Sequence, residues 1–337
     1  MAARVSLMIV VLLLVTLIVT SSATSCILEA SDERINVLVT QPAIAVLLRS
    51  AFPGDLNVEC LIPPGADPHE YEPSLSDLLR SLERADIVVT SGPRHLAVED
   101  RILELKAKGY FNKPVLTLDD YKKYGLRILE INGKENYHGI AFSYNGSRAI
   151  ILATLDAVSY ILPEERESLE RVAEGYLSAL WTVLLSAKEA INERKIALYS
   201  PALQYVVNDL GVDVEKIYLE DPEQAITQEV LSSIKRDYDS GTYDLLLITD
   251  IALKKDPKLE DYLKENKIKY LRIDVLGRCS LDVYSELVGA RYLSNSINEG
   301  YVSSHDTYAY AFWGSLVINL VLLGIALALV RKIRKGF

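Results

Sequence analysis

Short, mostly apolar runs alternate with helical stretches twice along this chain, and one long helical segment separates the two series. The first series has such runs at residues 35–40, 58–62, 87–90 and 115–118, with helical patterns at 44–50, 75–84 and about 98–108. The second has them at 196–199, 214–218, 245–249 and 270–273, with helices near 202–210, 227–237, 259–266 and 281–297. Runs dominated by apolar residues suit strands covered on both faces, and their alternation with helices predicts βαβ units in a parallel sheet for each series. Residues 163–194 contain no proline after Pro163, which opens a helix together with Glu164, Glu165 and Glu167. Leu169, Val172, Tyr176, Leu180, Val183 and Ala187 then recur every three or four positions. The expected fold is therefore α/β: two lobes, at 30–162 and 195–300, each a mainly parallel four-stranded sheet flanked by helices, joined by one long linker helix at 163–194.

The terminal segments stand apart from this body. Arg4 precedes an apolar run at 7–19, followed by small and hydroxyl residues at 20–25, the layout of a signal peptide over 1–25. An uncleaved anchor is the alternative, and Cys26 offers a lipoprotein-like cleavage site that lacks the usual leucine. Beyond a juxtamembrane linker at 301–310, residues 311–331 are almost wholly apolar, and about twenty residues at 1.5 Å span about 30 Å of bilayer. Tyr310 and Trp313 mark one rim, while Arg331, Lys332, Arg334 and Lys335 mark the cytoplasmic side and lead into the tail at 332–337. This predicts a single-pass cell-membrane protein with its body outside and its C-terminus in the cytoplasm.

All 46 acidic residues lie between Glu29 and Asp306, whereas five of the 36 basic residues fall outside that span. The body is therefore more acidic than the net charge of −10, which argues against nucleic acid as a partner and is compatible with a cationic ligand. Of three cysteines, Cys60 and Cys279 remain as a possible disulfide pair if Cys26 is removed or lipidated. Asn145-Gly146-Ser147 forms an N-glycosylation acceptor pattern.

The densest chemistry lies after the second apolar run. Pro63-Pro64-Gly65 ends that strand and opens a loop at its carboxyl end, where open α/β sheets place ligands. The loop presents His69 among Asp67, Glu70, Tyr71 and Glu72, and Pro73-Ser74 starts the next helix. A loop histidine is either a surface residue or a transition-metal ligand, the latter needing an acceptor that fixes its tautomer; Asp67 and Glu70 are the local candidates.

The stretch PGADPHEYEPSLSDL, with ADIVVTSG following, resembles the signature of the zinc- and manganese-binding solute-binding proteins of ABC transporters, the cluster A-I family. The resemblance spans about 35–297 and implies two α/β lobes joined by a long helix, with His69 as a metal ligand. It implies His138 as the second ligand, although Ile140 replaces the family's aromatic residue. The third ligand would fall at Ser200, a weak donor that completes the site only poorly or through water, and the fourth at Asp274. Asp250, or Glu220 and Asp221, are candidates to substitute for the missing third ligand, and Asp67, Glu70 and Asp250 would support the site. His95, at the end of the third strand, matches a family position that is not a ligand and stays unassigned; His305 belongs to the tether.

This resemblance predicts the substrate-binding component of an ABC importer, with zinc or manganese as transported ligand and a permease and its ATPase as partners. No nucleophile elbow, P-loop or dinucleotide fingerprint points to an enzyme. Two alternatives stay open: a metal-dependent hydrolase with an open zinc position, and a receptor or adhesin that has lost its metal.

Overall fold

The computed structural model describes residues 34–63, 65–92, 95–191, 194–222 and 224–293. Strands β1 (Ile35–Val39), β2 (Leu56–Cys60), β3 (Ile87–Val89) and β4 (Val115–Leu116) form one sheet in the order β2-β1-β3-β4. β1 pairs with β3 and β3 with β4 in parallel, Val37 facing Ile87 and Val88 facing Val115. Val37, Val39, Ile87 and Val89 are fully buried, as expected for strands covered on both faces. The crossovers run through α1 (Pro42–Ala51), α2 (Leu75–Arg84) and α3 (Ala97–Ala107). Each starts where its sequence allows: Pro42 occupies the first turn of α1, and the Ser74 hydroxyl accepts the Asp77 N–H ahead of α2.

After α4 (Leu118–Lys123) comes an antiparallel hairpin that the apolar pattern does not announce, β5 (Leu129–Ile131) and β6 (Lys134–Asn136). Its strands are three residues long and rich in charge, so they carry no continuous apolar run. An 18-residue helix, α5 (Tyr144–Ile161), follows with Ser143 as its N-terminal cap.

The long helix is α6 (Arg166–Ile191), 26 residues or about 39 Å. It packs against α1 and α5 on one side and against the second lobe on the other. Its buried residues are Leu169, Ala173, Leu180, Leu184, Ala187 and Ile191. Ala173 and Leu184 thus lie innermost where Val172 and Val183 were expected, and the latter two are half-buried. With neighbours on two sides, a period of 3.6 leaves the exact facing residue to the tertiary packing.

The second lobe holds β7 (Ile196–Leu198), β8 (Val214–Ile217), β9 (Leu245–Thr249) and β10 (Tyr270–Ile273) in the order β10-β9-β7-β8, all parallel. Helices α7 (Gln204–Leu210), α8 (Gln228–Asp239), α9 (Asp250–Lys255), α10 (Pro257–Glu265) and α11 (Ser280–Leu293) surround it. One apolar core joins α6, α7 and α11 to this sheet, with Leu180, Leu184, Val207, Ile273 and Tyr284 at its centre.

The expected leader, juxtamembrane linker, membrane helix at 311–331 and tail lie outside the described residues. Among the described residues no helix is long and apolar enough to cross a membrane. Cys60 and Cys279 are both free thiols, one at the end of β2 and the other just before α11, so the structure does not bridge them. The Asn145 side chain donates to Asp209 at 2.6 Å, and Ser147 is fully buried, so the acceptor pattern at 145–147 is built into the start of α5.

Candidate metal centre

Four loops that leave strands at their carboxyl ends build the site. His69 sits in the loop after β2, where Gly65 adopts a positive φ of 87° that a glycine takes without strain. The Asp67 carboxylate accepts the His69 backbone N–H at 2.9 Å. Asp67 thereby shapes the turn through the backbone, and Glu70 is exposed.

His138 follows β6. The Asn136 side-chain oxygen accepts the His138 N–H at 2.8 Å, while its amide donates to the Pro201 carbonyl at 3.2 Å and the Gln204 side chain at 2.8 Å. The Tyr205 hydroxyl donates to the Asn136 carbonyl at 2.6 Å and accepts the Leu129 N–H at 3.0 Å. The second lobe thus clamps the hairpin that carries His138.

His95 arrives from the turn between β3 and α3. Its Nδ1 lies 2.8 Å from the Ser91 hydroxyl, and that hydroxyl reaches both oxygens of Glu99 at 3.0 and 2.9 Å. Glu99 is fully buried, and its carboxylate also accepts the Ser91 N–H at 2.7 Å, the Gly92 N–H at 3.1 Å and the Thr40 hydroxyl.

The three imidazoles converge. Ring centroids are 5.3 Å apart for His69 and His95, 5.6 Å for His69 and His138, and 4.9 Å for His95 and His138. One donor nitrogen from each lies within 4.8 Å of the others, the only such group among the described residues. They line a cavity of about 300 Å³ whose far wall carries Glu220 and Asp221, from the loop after β8 in the second lobe. Burial, aided by the neighbouring imidazoles, lowers His95 to about 3. Burial also lowers His138 to about 4, with Asp221 pulling the other way. Burial raises Glu99 to about 7 against the hydrogen bonds that favour its charged form. Neutral imidazoles facing an open cavity are the form in which histidine binds metals.

Of the residues singled out in the sequence, His69 and His138 are brought together, and His95, left unassigned there, joins them. Its visible signal was position: it too follows a strand at the ligand-binding end of the sheet. Ser200 and Asp274 do not line this cavity. Ser200 is buried at the start of a short turn, Pro201–Leu203, that docks against the hairpin. The Asp274 carboxylate is held by Arg272 at 2.7 Å, and its N–H donates to Glu286. Asp250 accepts the N–H groups of Val275 at 2.9 Å and Leu276 at 3.4 Å and pairs with Lys254, so it shapes the turn after β10.

Residues 37–279 match the family described as ZnuA, zinc-uptake complex component A periplasmic. The iron ABC transporter substrate-binding lipoprotein MtsA of Streptococcus pyogenes serotype M1 is 25% identical over 257 residues, covering 69% of this chain and 77% of its own. The manganese ABC transporter substrate-binding lipoprotein scaA of Streptococcus gordonii is 24% identical over 183 residues, 49% of this chain and 54% of its own. Among solved structures, FpvC from Pseudomonas aeruginosa with Mn2+ superposes with a TM-score of 0.61 at 17% identity, covering 77% of this chain and 96% of that one. A ZnuA crystal structure gives 0.61 at 20% identity, covering 78% and 99%. Likeness at these identities establishes the α/β fold with parallel sheets flanked by helices. The relatives being named as lipoproteins overturns the expectation of a single-pass protein held by a C-terminal helix. Acyl chains hold such proteins at a bilayer without a spanning segment.

Proposed function

The chain belongs to the ZnuA family, and from that premise we propose that it is the substrate-binding component of a metal ABC importer, capturing zinc or manganese and delivering it to a permease driven by its ATPase. The observation that carries this reading is the convergence of His69, His95 and His138 on one cavity between the two lobes. Metal is here the cargo. A site open to a cavity suits capture and release. Membership of a family of substrate-binding components also sets aside the hydrolase alternative.

Calorimetric titration of the metal-stripped protein with zinc and manganese tests this. One ion should bind per chain at micromolar or lower concentration. His69→Ala and His138→Ala should each weaken binding about 100-fold or more, equivalent to about 2.7 kcal/mol. An absence of binding at micromolar metal overturns the reading.

A further inference from the structure

We propose that His95 is the third metal-bound side chain, so that the first lobe alone supplies a three-imidazole site, with Ser91 and Glu99 as positioning residues and a preference for zinc-type ions over manganese. This assignment rests on the metal-capture function and states which atoms perform it.

Geometry supports it first. His95 Nε2 lies 3.3 Å from His138 Nδ1. Tetrahedral zinc with Zn–N bonds of about 2.0–2.1 Å separates its ligand nitrogens by about 3.3 Å, so this pair already stands at the coordination spacing. The donor nitrogen of His69 completes a triangle no wider than 4.8 Å, which small side-chain rotations close.

The second support is the hydrogen-bond chain behind His95. In its ionised form Glu99 accepts only, and the Ser91 hydroxyl then donates its single proton to it, within 3.0 Å of both oxygens. Ser91 then turns lone pairs toward His95, whose Nδ1 stands 2.8 Å away and also 3.4 Å from the Gln41 side-chain nitrogen. With Nδ1 engaged on that side, Nε2 is the nitrogen that faces His138 and the cavity. It is the outer-sphere arrangement that fixes metal-bound imidazoles elsewhere, a carboxylate behind the ring raising its basicity. Glu99 is in turn anchored by two backbone N–H groups and Thr40, so the chain is rigid.

Third, two second-lobe carboxylates expected at or beside the site are engaged elsewhere: Asp274 by Arg272, Asp250 by the turn after β10. The second lobe instead faces the imidazoles with Glu220 and Asp221. Three nitrogens with one open position suit zinc and its neighbours, whereas manganese favours oxygen-rich sets.

The test uses the metal-stripped protein with zinc, manganese and cobalt(II) as probes, read by calorimetry and by the visible absorption of tetrahedral cobalt. Zinc should bind about 100-fold or more tightly than manganese. His95→Ala and His95→Gln should each weaken zinc about 100-fold and abolish the tetrahedral cobalt spectrum. Ser91→Ala should weaken zinc about 10–100-fold, as loss of an outer-sphere partner does, and Ser91→Thr should restore it. Ser200→Ala and Asp274→Asn should change neither affinity nor spectrum. If wild-type protein binds metal while His95→Gln leaves affinity and spectrum unchanged, or zinc and manganese bind equally, this assignment fails and the metal-capture function stands. If wild-type protein binds no metal, the function itself fails.

Discussion

Gly139, directly after His138, is where single atoms decide how the lobes meet. It adopts a φ of 82°, and a Cβ there would stand 1.9 Å from the Ala202 carbonyl oxygen of the second lobe. Gly139→Ala should therefore cost about 2 kcal/mol or more in chemical denaturation, combining left-handed strain with a backbone clash, and a neutral result would refute the close approach. Glu286 on α11 offers a pH test. It is 8 % exposed, its Oε2 accepts the Asp274 N–H at 2.7 Å, and its Oε1 has no partner among the described residues. Burial pushes it up to about 7, with the Asp274 and Asp250 carboxylates adding and the Asp274 N–H and Arg278 opposing. Because the folded state holds this proton more tightly, the stabilisation is complete below about pH 4.5 and lost as pH rises to about 7. Glu286→Gln should thus gain about 2–3 kcal/mol on wild type between pH 5 and pH 8, and a difference that does not move with pH would contradict it. At this scale the sequence exposed His69 and His138, because their flanking residues carry a signature. His95 was visible but unassignable, since no spacing along the chain reports a distance between two loops.

Among the elements, α6 carries most of the coupling. Leu184 is 2 % exposed within the core shared with α7, α11 and the second sheet. Leu184→Ala should destabilise by about 2–5 kcal/mol through lost burial and a cavity, whereas the exposed Leu185→Ala should cost well under 1 kcal/mol; equal effects would show that the stripe is misplaced. The helix itself was legible from its length and proline-free composition, as were the eight sheet strands from their apolar runs. The hairpin β5–β6 was not. Its residues are charged and few, and it is held by side chains remote in sequence: Tyr205, Gln204 and Glu220, the last accepting Asn132 at 2.7 Å. Such pairing leaves no periodic trace in either partner.

For the whole molecule, ligand capture should register as stability. If metal binds only the folded chain, a free concentration 100 times its Kd adds about 2.7 kcal/mol. In a body of this size that raises the melting temperature by about 5–10 °C, which differential scanning fluorimetry with zinc will measure; an unchanged melting temperature would speak against binding to the native state. By itself the sequence determined the two parallel sheets, the helix between them and the loop that presents His69. Those depend on local hydrophobic period and on turn residues, both of which are written along the chain. Only the tertiary structure decided that His95 joins the imidazole cluster, that Ser200 and Asp274 do not line its cavity, and that Glu220 and Asp221 do. Those are distances between loops from different strands and lobes, set by how the elements pack and by no property of any one segment.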